Sequence, residues 1–218
     1  MKKIAITVCA FAFATCAFAQ KKNVSGAEGK LYEPMDLNGA KTMIEAAMKD
    51  PTTINQTKTY WVAAQVYEKL YEEQEKNRQL GKSYSQDVEN EVLIKAVDAY
   101  KRTSELDVLP DEKGKIKPKY TKIIPARLDN YKNYLINAGL ANYNSATEKK
   151  NPADYSTAVD LWAKYIEMAD YPVMEKLNMK ADTLYNEIKY YSINAAMNTT
   201  DRQDVAVKYM EDLKSTTK

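Results

Sequence analysis

The sequence predicts an all-α fold built from successive amphipathic helices. Three observations carry this expectation. Apolar residues recur at helical spacing along most of the chain, with no convincing strand between them. Glycine (6) and proline (7) are scarce for 218 residues, too few for the many turns of a sandwich or barrel. The composition leans on Lys, Glu, Ala, Tyr and Asn, a helix-favouring mixture with tyrosine as the large core filler.

The elements follow in order. Ala40, Met43, Ile44, Ala47 and Met48 share one helical face, with Asp36 or Asn38 available as a cap and Pro51 as the stop. Tyr60, Ala63, Ala64, Tyr67, Leu70 and Tyr71 mark a second helix. It runs for a few turns into the polar stretch 72–87 before a loop near Gly81. Val92, Ala96, Tyr100 and Thr103 define a third, fading into Leu109-Pro110-Asp111. Residues 110–122 hold two prolines, a glycine and five lysines, and read as a loop. A helix over about 126–145 follows, carrying Leu128, Tyr131, Leu135, Ala138 and Asn142. Tyr155, Ala158, Trp162, Tyr165, Ile166 and Ala169 form another, closed by Pro172. Leu184, Ile188, Tyr191 and Ala195 mark the next, and Ala206, Met210 and Leu213 the last. The expected total is about seven helices over 36–214, with 20–35 a flexible start and 215–218 a tail.

Residues 1–19 read as an address. Met1-Lys2-Lys3 is basic, Ile4 to Phe18 is apolar apart from two threonines, and Ala17-Phe18-Ala19 is a small-x-small cleavage signal before Gln20. The apolar run is too short to span a bilayer, which takes about 20 residues. Cleavage between Ala19 and Gln20 is expected. Lipid anchoring through Cys16 is disfavoured, because Phe13-Ala14-Thr15 is a poor lipobox. The protein is expected to be exported, with the periplasm as its destination. Lys2, Lys3 and both cysteines leave with the leader, so the formal net charge falls from +2 to zero. No later segment is apolar enough to cross a membrane.

What remains has neither cysteine nor histidine. That removes disulfides, thiol nucleophiles, histidine-based triads and zinc sites of the HExxH kind. A neutral balance offers no nucleic-acid signature. No catalytic residue, metal ligand or cofactor is assigned. Glu72, Glu73 and Glu75 lie close in sequence but on a polar stretch, so a carboxylate-dependent hydrolase is a distant third reading.

The helices pair in a way that resembles the tetratricopeptide repeat. Tyr60, Ala63, Ala64 and Tyr67 resemble a first helix of that repeat, and Ala96, Tyr100, Thr103 and Pro110 the second helix that answers it. Ala40, Ile44, Ala47 and Pro51 resemble a lone second helix, a half repeat at the start. Leu135, Ala138 and Gly139 pair with Ala158, Trp162, Tyr165 and Pro172, and Tyr191, Ala195 and Asn198 pair with Ala206, Met210 and Leu213. Small residues let the helices approach and aromatics plug the gaps. The leader followed by QKKNVS, the LPDEKGKIKPKY loop and the DYSTAVDLWAKYIEMADYP helix are similar to the N-terminal part of secreted tetratricopeptide-like proteins of Bacteroidetes. The resemblance implies a right-handed superhelical array of antiparallel helix pairs, about three and a half repeats.

It also implies a concave groove lined by first helices. Lys58, Trp61, Val62, Gln65 and Lys69 are expected to face it, then Asn133, Ile136, Asn137, Leu140 and Tyr143, then Lys189, Ser192 and Ile193. The expected occupant is another protein or a peptide. Lys58 with Asn133 and Asn137 faintly resembles a set that holds a peptide carboxylate. The alternative is an outer-membrane accessory that binds glycan through Trp61 and neighbouring tyrosines. Lys113, Lys115, Lys117, Lys119 and Lys122 form the most basic segment, able to meet an anionic headgroup or polysaccharide, though a solvated loop is the favoured reading. Asp182-Thr183-Leu184 matches a short Bacteroidetes O-glycosylation pattern with Thr183 as acceptor; the plainer reading is a helix cap. Val205, Met210 and Leu213 lie on a final helix with no successor, so dimerisation or a partner on that face is expected.

Overall fold

The computed structural model describes residues 22–111 and 113–216, which are helical with no strand among them. The chain divides after Lys122 into two compact units.

The first unit contains α1 (22–29), α2 (Leu37–Ala47), α3 (Thr57–Gln79) and α4 (Gln86–Asp107). Asp36 caps α2 by accepting from the Gly39 amide at 2.8 Å, and Ser85 caps α4 through the Val88 amide at 3.3 Å. Thr53 Oγ1 donates to the Ala47 carbonyl at 2.6 Å, satisfying an orphan acceptor at the end of α2. The core is Leu37, Ala40, Ile44 and Ala47 from α2, Val62, Ala63, Ala64, Val66, Tyr67 and Leu70 from α3, and Val92, Leu93, Ala96, Val97 and Tyr100 from α4. The alanines let the helices approach while the tyrosines fill the space between them. Their hydroxyls stay satisfied: Tyr67 donates to Glu45 at 3.3 Å and Tyr100 to Glu68 at 2.9 Å.

The expected flexible start over 20–35 is described from residue 22 onward. Residues 22–29 are helical, and Val24 and Ala27 are buried. A Cβ at Gly26 would stand 2.3 Å from Met43 Cε, so the Met43 tip lies against this bare backbone. Glycine in a helix normally argues against it; here it makes room for α2. The helix read as a lone opening element therefore has a helix before it.

The second unit contains α5 (Ile124–Lys149), α6 (Pro152–Met168), two 3-10 segments (Pro172–Leu177 and Met179–Ala181), α7 (Thr183–Met197) and α8 (Gln203–Thr216). Lys150, left-handed at φ 52°, ends α5. Asn151 then caps α6 through the Ala153 amide at 3.2 Å, with Pro152 at the favoured first position. Trp162 is the pivot of this core. Its indole N–H donates to the Ile136 carbonyl of α5 at 3.2 Å. A Cβ at Gly139 would stand 2.2 Å from the indole nitrogen, so only glycine leaves room for the ring to approach α5 this closely.

The last two helices are turned relative to the sequence expectation. On α7 the buried set is Tyr185, Ile188, Lys189, Ser192, Ala195 and Ala196, while Tyr191 is exposed. On α8, Ala206 and Tyr209 are buried, Met210 is exposed, and Val205 and Leu213 are half-buried. Arg202 ties the start of α8 back to α6 with two parallel bonds to Asp160, Nε to Oδ1 at 2.7 Å and Nη2 to Oδ2 at 2.9 Å. Both partners are partly exposed, so solvent screens the pair. Arg202→Met is expected to lower stability by about 1 kcal/mol or less, most of it vanishing at 1 M salt, as unfolding curves at two ionic strengths will show.

Candidate functional site

The expected groove residues of α3 fall on one stripe, as their spacing of three and four dictates. Lys58 and Lys69 are exposed, Trp61 and Gln65 half-buried, and Val62 fully buried in the core. At Lys58 and Trp61 this stripe is met by the protein's own chain. Lys58 Nζ pairs with Glu28 of α1 at 2.7 Å, and that carboxylate raises the Lys58 pKa above its usual value. Lys69 pairs with Glu72 of its own helix at 2.6 Å. Trp61 is stacked by Tyr120 at 4.4 Å and 16°, and met edge-on by Tyr100 at 6.0 Å. An indole held this way is a packing element, not an open platform for a sugar ring.

Tyr120 is held in place by a buried carboxylate. Asp107, at the end of α4, accepts from the Lys119 amide at 3.0 Å, the Tyr120 and Thr121 amides at 2.8 Å, and Thr121 Oγ1 at 2.8 Å. Burial works to raise its pKa, but these four bonds outweigh it and hold the carboxyl below the usual aspartate value. The loop after α4 is therefore clamped at its base. Further out, Asp111 Oδ1 accepts from the Lys113 and Lys115 amides at 2.9 Å, making a tight turn with Gly114 at φ +72°.

The second unit presents a different surface. Asn133, Asn137 and Leu140 are exposed on one stripe of α5, with Tyr134 beside them. On α7 the exposed stripe is Glu187, Tyr190, Asn194 and Met197, with Tyr191 adjoining. Tyr190 is 63% exposed and Met197 65%. Tyr143 joins the two helices: its hydroxyl donates to Asn194 Oδ1 at 3.3 Å. Its ring meets Tyr155 at 5.4 Å and Trp162 at 5.9 Å, and Trp162 in turn meets Tyr191 at 5.9 Å. Tyr143 is thus half-buried flooring between α5 and α7. By contrast, α6 exposes no large apolar side chain.

Lys189 is not a groove residue. It is 5% exposed, its ammonium 4.6 Å over the centre of the Tyr185 ring and 3.6 Å from Asp212 of α8. A long apolar stem with a charged tip allows this inward placement. Ser192 is likewise fully buried. The sequence pattern places Tyr191 inward and assigns no face to Tyr190, Asn194 or Met197. The signal that finds them is the polar stripe Glu187–Asn194, which fixes the outward face.

Asp182 caps α7 through the Leu184 amide at 3.0 Å, leaving Thr183 exposed at the first helical position. The expected leader, with Ala19, Gln20 and Cys16, lies outside the described residues. Among the described residues no group of three or more acidic side chains is gathered to hold a metal, and no helix is long and apolar enough to cross a membrane. Comparison with known proteins found no matching family model, no matching curated protein and no matching solved structure.

Proposed function

We propose that this chain is an exported, non-catalytic scaffold that holds another protein or a peptide along the first helices of tetratricopeptide-like pairs. The observation that carries the reading is the outward face of α5 and α7. It sets tyrosine rings, Leu140 and Met197 among the amides of Asn133, Asn137 and Asn194. An asparagine amide offers a donor and an acceptor side by side, which matches a peptide group. Tyrosine adds contact area at low cost in conformational entropy. Packing of each helix against its chain neighbours, from α2 to α4 and from α5 to α8, supports the repeat-like reading. Nothing at Trp61 favours the glycan alternative, since its ring already stacks on Tyr120. Lys58 is committed to Glu28, which argues against a carboxylate clamp.

Selection from a random-peptide display library is the test. Binding peptides are expected, and Tyr190→Ala or Asn137→Ala should weaken them about tenfold or more, as truncation at a well-packed anchor does. Substitution of Lys176, exposed between α6 and α7, should leave them unchanged. Peptides indifferent to Tyr190 and Asn137 would place binding elsewhere.

A further inference from the structure

We propose that the loop tip over 113–119 is a docking point for an anionic lipid surface. The tip carries Lys113, Lys115, Lys117 and Lys119, with Lys122 behind. All five are exposed. Lys117 lies 3.4 Å from Asp111; the other four have no carboxylate partner among the described residues. The two acidic residues of the loop, Asp111 and Glu112, are outnumbered by these lysines. Most of the first carboxylate's bonding is spent on the turn itself.

Between Lys115 and Lys117 stands Ile116, 58% exposed on a turn that the Asp111 bonds define. Val108 and Leu109, at the entry to the loop, are exposed as well. A single exposed isoleucine is ordinary. One set between Lys115, which has no carboxylate partner among the described residues, and the exposed Lys117, on a loop clamped by Asp107, matches the chemistry of a membrane surface. Ammonium groups meet the headgroups and the apolar side chain enters the acyl boundary. A polyanionic saccharide or nucleic acid has use for the lysines but none for Ile116, so lipid is the occupant the geometry favours. The clamp matters because an ordered tip gives up little entropy on docking.

Vesicle flotation tests this with the chain from Gln20 onward. Vesicles of mixed phosphatidylglycerol and phosphatidylcholine should carry the protein, and phosphatidylcholine alone should not. Lys115→Gln and Lys119→Gln should each weaken binding about fivefold, the effect of one basic residue near an anionic surface. Ile116→Ser should weaken it roughly fivefold, and Ile116→Leu should restore it. Circular dichroism checks that each variant is folded. No flotation, or equal flotation on both vesicles, overturns the proposal. So does Ile116→Ser without effect; if dextran sulfate then binds with the same lysine dependence, the loop reads polyanions instead.

Discussion

Trp162→Ala is expected to cost the second unit about 3–5 kcal/mol, the range for truncating a fully buried aromatic. The ring is 1% exposed and bonded through its N–H to the Ile136 carbonyl, so its loss leaves a cavity and removes that bond. Gly139→Ala is the complementary test. In an ordinary helix interior this change gains up to about 1 kcal/mol. Here the new methyl would stand 2.2 Å from the indole nitrogen and 2.6 Å from two ring carbons. The ring is packed and hydrogen-bonded, so overpacking wins, by about 1–3 kcal/mol. In a Trp162→Phe background the indole nitrogen is gone, and the same Gly139→Ala change should become neutral or stabilising. Denaturant unfolding of the four proteins in this cycle measures the coupling. Additive effects would mean that the glycine and the tryptophan do not share one seam.

Asp107→Ala is expected to release the loop that covers Trp61. Three backbone amides and the Thr121 hydroxyl lose their acceptor, at about 1–3 kcal/mol. With Trp162→Phe in place, Trp61 is the sole tryptophan, and loss of the Tyr120 stack should change its emission. Acid should do the same to the unsubstituted loop. The folded Asp107 pKa is depressed, so its contribution is fully present above the usual aspartate value and is lost as pH falls through the folded one. An emission profile that is flat through the acid range, or unchanged by Asp107→Ala, would contradict the clamp.

How much of this was legible in the sequence follows from what each residue reports. The helices at α2, α3 and α6 were legible, because small and aromatic residues fall cleanly on one face. Helix α1 was not: its apolar face is only Val24 and Ala27, and its glycines look like loop until Met43 is seen beside Gly26. On α7 and α8 the aromatic pattern misled. Tyrosine suits either side of a helix, so Tyr191 was assigned inward and Lys189 outward, the reverse of what packing gives. The loop after α4 was read as solvated from its lysines. That holds for the tip, but its base depends on Asp107, an acceptor whose donors lie a dozen or more residues downstream. Local spacing carries no trace of such a contact. Of the residues expected to line a groove, Asn133 and Asn137 are exposed on α5, while on α3 Tyr120 of the chain's own loop stacks on Trp61.

The most direct test of the proposed binding scaffold is chemical-shift mapping with a peptide taken from the library selection. The side-chain amides of Asn133, Asn137 and Asn194 sit on the outward face of α5 and α7 and serve as built-in probes. The account predicts that these amides, with the Tyr190 and Tyr191 rings, shift together on titration while the amides of α6 stay still. Shifts centred on α6, or on Lys58 and Trp61 with α5 and α7 silent, would contradict it.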